Sequence, residues 1–387
     1  MKRLPCWSGW RKDNPVYSVQ TRIFTLDPQN PDPAVIVQAA ERLHADGLVA
    51  FPTETVYGLG ANAFSAVAVG RIFEVKKRPF YDPVIVHLSD ISQIEQVARD
   101  IPSLAYELAQ AYWPGPLTLV LKKGPQVAPN VSAGLDTVAV RMPNHRIPLA
   151  LVETSGLPVA APSANLFTRP SPTSARHVLE DLNGHVDIIL DGGDCPIGLE
   201  STILDLTASP PTVLRHGGLD LDLLRERIPH LQIARRYVQT DEGLPMSAPG
   251  MLAKHYSPKA PLLLFTAQTD AALTRLRDLA SALAGRGFKV GVMTTMEDAR
   301  HFSDLNLEIA DLGSAADLPQ IGRRLFAQMR RLDSLRVDVI LVRAPAQEGL
   351  GLTIWDRLFR AAEGKVFDLD KPLEAEEIIS LLVKKEE

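Results

Sequence analysis

The chain has 387 residues, of which 45% are hydrophobic and 22% charged, and its 41 Lys and Arg against 46 Asp and Glu give a formal net charge of -5. That length exceeds one average domain, and the acidic balance excludes a protein built mainly to coat nucleic acid while leaving room for a local basic phosphate pocket. Two cysteines, Cys6 and Cys195, stand far apart in no ligand-like spacing, which excludes a disulfide scaffold or Cys-based zinc site and leads to the expectation of a reducing, cytoplasmic setting.

In chain order, the first residues, MKRLPCWSGWRKDNP, lack the apolar core of a secretory signal, and residues 1–21 read as a disordered N-terminal extension. A helix is predicted from Asp32 to Asp46, with Ile36, Ala39, Ala40 and Leu43 at helical spacing and Gly47 as its stop. The short buried strand Leu48–Phe51 follows. RIFEVKKRP then reads as helix, and strands are expected at Val84–Leu88, Leu117–Leu121, Thr137–Arg141, Val159–Ala161, Val186–Leu190 and Ser201–Leu206. Many short apolar strands with helices between them predict a large α/β domain over 22–236.

The pattern fails at 237–258, where Pro, Gly and polar residues mark a linker or ordered long loop. A second unit, 259–387, begins with strand Leu262–Phe265, helix Asp270–Ala284 and strand Lys289–Met293. Helix Ile321–Leu332, strand Val337–Val342 and a final helix Trp355–Ala362 complete it. This β-α-β rhythm predicts a smaller Rossmann-like three-layer α/β domain. No stretch reaches the roughly 18 apolar residues of a membrane span.

Several segments carry polar groups where chemistry needs them. In FPTETVYGLGANAF (51–64), Gly58-x-Gly60-x-x-Ala63 imitates a dinucleotide fingerprint, but polar residues separate it from its strand, helix follows, and no strand-end acid stands about 20 residues on. The dinucleotide reading is set aside in favour of a hydroxyl-rich turn for a small polar ligand. Lys76, Lys77, Arg78 and Pro79 either offset a helix dipole and stop the helix or turn Lys76 and Arg78 toward a triphosphate. Arg141 lies in an apolar strand, so it either pairs with a core carboxylate or grips an amino-acid carboxylate. Ser163 and Asn165 in APSAN read as a turn bonding its own backbone or as ligands of a phosphate. In ESTI, Ser201 and Thr202 fall inside a predicted strand, and a lone histidine such as His87 is by default a satisfied core residue. No GxxxxGK[ST], HExxH or GxSxG motif occurs, so ATP chemistry here requires a different fold.

The motifs FPTETVYGLGANAF, Lys76-x-Arg78-Pro79, DPVIVH (82–87), WPGPLTLVL (113–121), AGLDTVAVRMP (133–143), AAPSAN (160–165), IILDGG (188–193), GLESTI (198–203) and VLRHGG (213–218) occur in that order. Together they resemble the YrdC-type threonylcarbamoyl-adenylate synthases. APGMLAKHYSP (248–258) and the trailing α/β unit resemble the long, two-domain form, and the resemblance runs from about Arg22 to about Lys365.

The resemblance implies an enzyme acting on L-threonine, bicarbonate and ATP, with a carbamate attacking the α-phosphate and pyrophosphate leaving. Such catalysis is positioning and charge neutralisation, with no covalent enzyme intermediate. By carry-over, Thr53, His87, Arg141 and Ser201 form the threonine site, and Lys76, Arg78, Thr137, Ser163, Asn165, Ser171 and Arg215 the ATP site. Mg²⁺ is expected, held more by phosphate and water than by protein, with its protein ligands unassigned. Met251, His255 and Tyr256 are expected to act as a lid over the site, although Leu252 and Ala253 depart from the family's basic-aromatic pattern. The product is expected to pass to a separate tRNA transferase, with a weak tRNA contact and no membrane association. Two rival readings are an RNA-binding module without catalysis, opposed by the acidity, and a hydrogenase-maturation carbamoyl transfer, opposed by the lack of its accessory regions.

Overall fold

The computed structural model describes residues 17–234, 246, 255–266, 270–371 and 375–383. Residues 1–16 of the expected extension, and Met251 with the rest of 247–254, lie outside these. Residues 17–21, also expected to be extension, are tied down: the Tyr17 hydroxyl donates to Asp187 Oδ2 at 2.6 Å, and the Val19 amide to the Gly184 carbonyl at 2.9 Å.

The first unit is built on a twelve-stranded sheet. Its order runs Arg22–Thr25, Ile188–Asp191, Val49–Phe51, Gly58–Asn62, Val159–Ala160, Ile85–His87, Thr137–Arg141, Leu117–Lys123, Thr202–Asp205, Thr212–Arg215 and Gln232–Ile233, while Ala98–Arg99 pairs off this path with Leu117–Lys123. Pairing is mixed. Val49–Phe51 runs parallel to Ile188–Asp191 and antiparallel to Gly58–Asn62.

The first predicted helix forms at Pro33–His44, because the Asp32 side chain accepts the Ala34 amide and proline opens the first turn. It buries Ile36, Ala39, Ala40 and Leu43 against Ile147, Leu151 and Val152 of helix Arg146–Ser155. Deleting a side chain such as Leu43 from a core of this kind costs about 2–5 kcal/mol.

The glycines of the apparent dinucleotide fingerprint lie in strand Gly58–Asn62, which the sequence reading took for a turn. A Cβ on Gly60 would stand 2.6 Å from the Phe51 ring. These glycines therefore serve close packing between strands, and no phosphate-binding turn is present there.

The second sheet has five strands in the order Glu308–Asp311, Val290–Thr294, Val339–Arg343, Leu262–Thr266 and Val366–Asp368, and every neighbouring pair is parallel. Runs such as LLLF and VILV are apolar throughout because helices cover both faces. Helix Asp270–Gly285 supplies Leu276 and Leu283 to one face, and Ala375–Val383 adds Ile378. Helices Leu318–Ser334 and Leu350–Ala361 cover the other with Leu325, Phe326, Ile354 and Leu358. The helix beginning near Trp355 is one turn longer at its start than expected, and Ala375–Val383 follows it. Ser201 sits one residue before its strand, at the point where the chain enters the sheet.

The two units share an apolar cluster in which Val56, Leu199 and Tyr256 pack with Phe326, Ile354 and Leu358. Backbones approach closely here, since a Cβ on Gly198 (φ +74°) would lie 2.5 Å from Arg323 Cα. Arg330 bridges to Asp181 at 2.7 Å and Arg357 to Glu200 at 2.7 Å, both across this boundary and both buried. Among the described residues no helix is long and apolar enough to cross a membrane.

Candidate functional site

Strand ends of the first sheet converge on one cleft. The loop after Val49–Phe51 brings Thr53, Ile85–His87 ends in His87, and Thr137–Arg141 ends in Arg141, directly opposite His87 in register. Ser163 follows Val159–Ala160, Glu200 and Ser201 precede Thr202–Asp205, and Arg215 ends Thr212–Arg215. Arg78 enters from the end of helix Ala66–Lys76, which Lys77 terminates in the left-handed conformation. His255 and Tyr256 complete the lining from the far end of the linker.

Of the predicted residues, Thr53, Arg78, His87, Arg141, Ser163, Ser201, Arg215, His255 and Tyr256 all line this cleft. Three others stand immediately behind it. Lys76 donates to the Ser163 carbonyl at 2.6 Å and also to that of Asn165, and the Ser171 hydroxyl donates to Glu200 Oε1 at 2.6 Å. Thr137 is different: it begins the strand that Arg141 ends, about 13 Å away at strand rise, and it is not part of the lining.

Of the two readings of Arg141, its environment supplies the core carboxylate. Its Nη2 donates to Glu54 Oε2 at 2.6 Å, both side chains are buried, and its Nε and Glu54 Oε1 have no partner. Glu54 and Glu200 were missed in the sequence. Glu54 lies within PTET beside the hydroxyls that drew attention, and the only signal available was that a buried arginine requires an acid.

The cleft gathers cations, most of them faced by a carboxylate and one, Lys76, by carbonyls. Lys76 is 1% exposed and its ammonium bonds only carbonyl oxygens, with no carboxylate in ion-pair contact among the described residues. Burial, and then Arg78, depress its basicity well below the usual lysine range. Arg78 donates to the carbonyls of Asp82 and Pro83 and pairs with Asp82 at 2.9 Å. Arg215 donates to the Ser201 carbonyl at 2.9 Å and to its hydroxyl at 3.2 Å. Burial pushes the Glu200 carboxyl up, but Arg357 and Arg215 overcome this and hold it below the ordinary range.

Among the described residues, four buried polar atoms on the lining lack partners: Arg141 Nε, His87 Nδ1, His255 Nδ1 and the Tyr256 hydroxyl. Burial, then Arg141, pushes His87 down to about 3, so its ring is neutral. Burial and the surrounding arginines and lysine likewise keep His255 neutral. Tyr256 is held at φ +64°, a conformation costing about 1–3 kcal/mol for a bulky residue and concentrated at functional sites. Phe326 stacks on it at 5.3 Å and the Arg357 guanidinium lies 5.0 Å from its ring centre. Unsatisfied buried groups of this kind, gathered in one cleft with these cations, are suited to a polar anionic ligand. No group of three or more His, Cys, Asp or Glu side chains among the described residues is arranged to hold a metal.

Residues 41–217 match the Sua5, YciO and YrdC family model, described as telomere recombination, and residues 224–363 match a model described as the threonylcarbamoyl-AMP synthase C-terminal domain. The chain is 44% identical over 84% of its length to a threonylcarbamoyl-AMP synthase of Pyrococcus abyssi, covering 93% of it. It is 42% identical over 90% of its length to that of Bacillus subtilis, covering 97%. A crystal structure of P. abyssi Sua5 complexed with L-threonine matches with a TM-score of 0.83 and 41% identity, over 90% of this chain and 99% of that one.

Proposed function

The chain belongs to the Sua5, YciO and YrdC family in its two-domain threonylcarbamoyl-AMP synthase form, and from that premise we propose how its cleft performs the reaction. The enzyme joins L-threonine, bicarbonate and ATP into threonylcarbamoyl-AMP and pyrophosphate, the first step of threonylcarbamoyladenosine formation in tRNA. The observation that carries the assignment of the phosphate end is Lys76, a fully buried amine that among the described residues bonds only carbonyls, whose charge burial and Arg78 disfavour until an anion is present. An uncompensated buried cation is costly unless an anion arrives to meet it.

Lys76, Arg78 and Arg215 take the phosphates in this reading, with Ser163, Asn165 and Ser171 fixing the loop between them. Arg141 takes the threonine carboxylate while Glu54 holds its guanidinium in place, and Thr53, His87 and Ser201 surround the amino-acid side chain. The threonine amine bonds to the carbon of bicarbonate, whose hydroxide leaves with the amine's proton as water. A carbamate oxygen then attacks the α-phosphorus, and the bond to the pyrophosphate oxygen breaks. The neutral His87 and His255 and the hydroxyl of Tyr256 offer hydrogen bonds without adding charge, and the apolar wall behind them excludes water from a carbamate that decomposes readily. Thr137, at the start of the strand that Arg141 ends, is the one residue of the expected ATP site that lies neither on the lining nor among the three that stand immediately behind it.

An ATP-using synthase works with a divalent cation. We assign Mg²⁺, carried by the phosphates, because Glu54, Asp82 and Glu200 already face arginines and form no cage. Transfer to tRNA by a separate enzyme, a weak tRNA contact and a cytoplasmic site of action belong to the same proposal. The test is product analysis: with ATP, Mg²⁺, threonine and labelled bicarbonate, label enters an adenylate. Pyrophosphate release that is equally fast without bicarbonate refutes the chemistry. Serine lacks one methyl, worth about 1–3 kcal/mol, and is expected to be a poor but measurable substrate.

A further inference from the structure

The second unit contains a crevice of its own, of about 320 Å³, which no step above uses. It opens at the carboxyl ends of the neighbouring parallel strands Val290–Thr294 and Val339–Arg343. The chain leaves the first strand toward Glu308–Asp311 on one side. It leaves the second, through helix Leu350–Ala361, toward Val366–Asp368 on the other. Adjacent parallel strands whose connections diverge leave a gap beyond their carboxyl ends, and open α/β sheets bind small ligands there.

The lining narrows the chemistry of the ligand. Leu312, Leu318, Ile321, Ile354 and Leu358 give it aliphatic walls suited to a flat ring. Polar groups gather at the strand ends: the hydroxyls of Thr294 and Thr295, and the ion pair of Arg343 with Asp298 at 2.6 Å. Glu348 stands at the edge, so one arginine faces two carboxylates and the formal balance is -1. A phosphate is repelled by that balance, whereas sugar hydroxyls find both donors and acceptors. We propose that this crevice is a binding site for an uncharged purine nucleoside, with the base between the aliphatic walls and the ribose at the strand ends.

The same helix connects crevice and cleft. Ile354 and Leu358 belong to the crevice wall, while Thr353 donates to the Gly217 carbonyl at 3.1 Å and Arg357 donates to Glu200 at 2.7 Å. A ligand that fixes helix Leu350–Ala361 therefore acts on the wall of the first unit's cleft, and by linkage the cleft's ligands act on it.

The test uses the full chain and adenosine as the probe, with AMP as the charged control. Calorimetry on the wild-type chain is expected to show saturable adenosine binding. The substitutions Ala316→Trp and Ala346→Trp, each at the exposed rim, are expected to weaken it about tenfold or more by filling the opening, with melting curves unchanged. AMP is expected to bind this site about tenfold more weakly than adenosine because of the negative balance. No binding at about millimolar adenosine, or binding that survives both rim substitutions and so belongs elsewhere, overturns the proposal. AMP binding that is stronger than adenosine and equally sensitive to both substitutions overturns the ligand class. These arms do not depend on the reaction assigned to the cleft. A further arm, in which adenosine changes adenylate yield in the wild type but not in the rim variants, rests on that assignment, and no change there removes only the coupling through the helix.

Discussion

At the scale of single residues, the cleft is defined by charges that have left water and must be met. Arg141→Ala is expected to weaken threonine binding and Lys76→Ala to weaken ATP binding, each by the about 2–5 kcal/mol typical of losing a charged partner from a desolvated contact. Calorimetry with each ligand separately checks this, and a melting curve shows whether Arg141→Ala instead unfolds the core by stranding Glu54. His87 makes a second expectation. Its folded value of about 3 lies below the unfolded 6.5, so between these the unfolded chain binds the extra proton. Stability from His87 is thus complete above pH 6.5 and lost as pH falls toward about 3, at up to about 1.4 kcal/mol per pH unit. His87→Asn should flatten the acid side of a curve of melting temperature against pH, and an unchanged slope would show that His87 is not the group responsible. In the sequence, His87 read as a satisfied core histidine. Its burial matches that reading, while its unpartnered Nδ1 does not.

At the scale of elements, two segments far apart in sequence shape the same cleft, one within its lining and one behind it. The segment ending in His255 and Tyr256 contributes two lining side chains. Replacing residues 247–258 by Gly/Ser of equal length is expected to leave the protein folded, cut adenylate yield sharply and uncouple ATP hydrolysis. Unchanged yield would make the segment a tether. Helix Leu350–Ala361 works from behind: Arg357 is fully buried and holds Glu200, which in turn accepts the Ser171 hydroxyl. Arg357→Leu takes from buried Glu200 its directly bonded cation, leaving Arg215 as the remaining one, and should cost about 3 kcal/mol, measured by denaturant unfolding. Adding Glu200→Gln should recover part of that loss. If the double variant is no more stable than Arg357→Leu, the pair is not what holds the helix. Periodicity announced the helix but gave no sign of its partner, since Arg357 and Glu200 stand 157 residues apart.

At the scale of the molecule, the second unit backs the first unit's cleft wall, with Arg357 on Glu200 and Phe326 on Tyr256. Shorter relatives exist: a putative threonylcarbamoyl-AMP synthase of Mycobacterium tuberculosis matches 49% of this chain and 88% of its own length. In the present chain, a fragment ending at residue 234 would expose Val56 and Leu199 and leave Glu200 without Arg357. It is expected to aggregate and to give little adenylate, and a soluble fragment with full yield would show the second unit to be dispensable. The sequence by itself determined the two α/β units, most strands with apolar runs, the capped first helix and most of the polar residues that reach the cleft. The units, strands and helix follow from local physics, periodicity and helix-end signals, as does the oddity of Arg141 and Ser201 in apolar stretches. Residues such as Ser171 and Arg215 came only from the resemblance to the YrdC-type family. Strand Gly58–Asn62 was lost because its glycines are set by contact with Phe51, and the edge strands Arg22–Thr25 and Glu308–Asp311 because short, half-exposed strands lack a continuous apolar run. Only the tertiary structure decided that Glu54 answers Arg141, that Thr137 begins the strand Arg141 ends without joining the lining, and that Arg357 holds Glu200 from the second unit. Each depends on which distant strand ends and helix faces come together, and the burial that makes such a pairing obligatory exists only once the chain has folded.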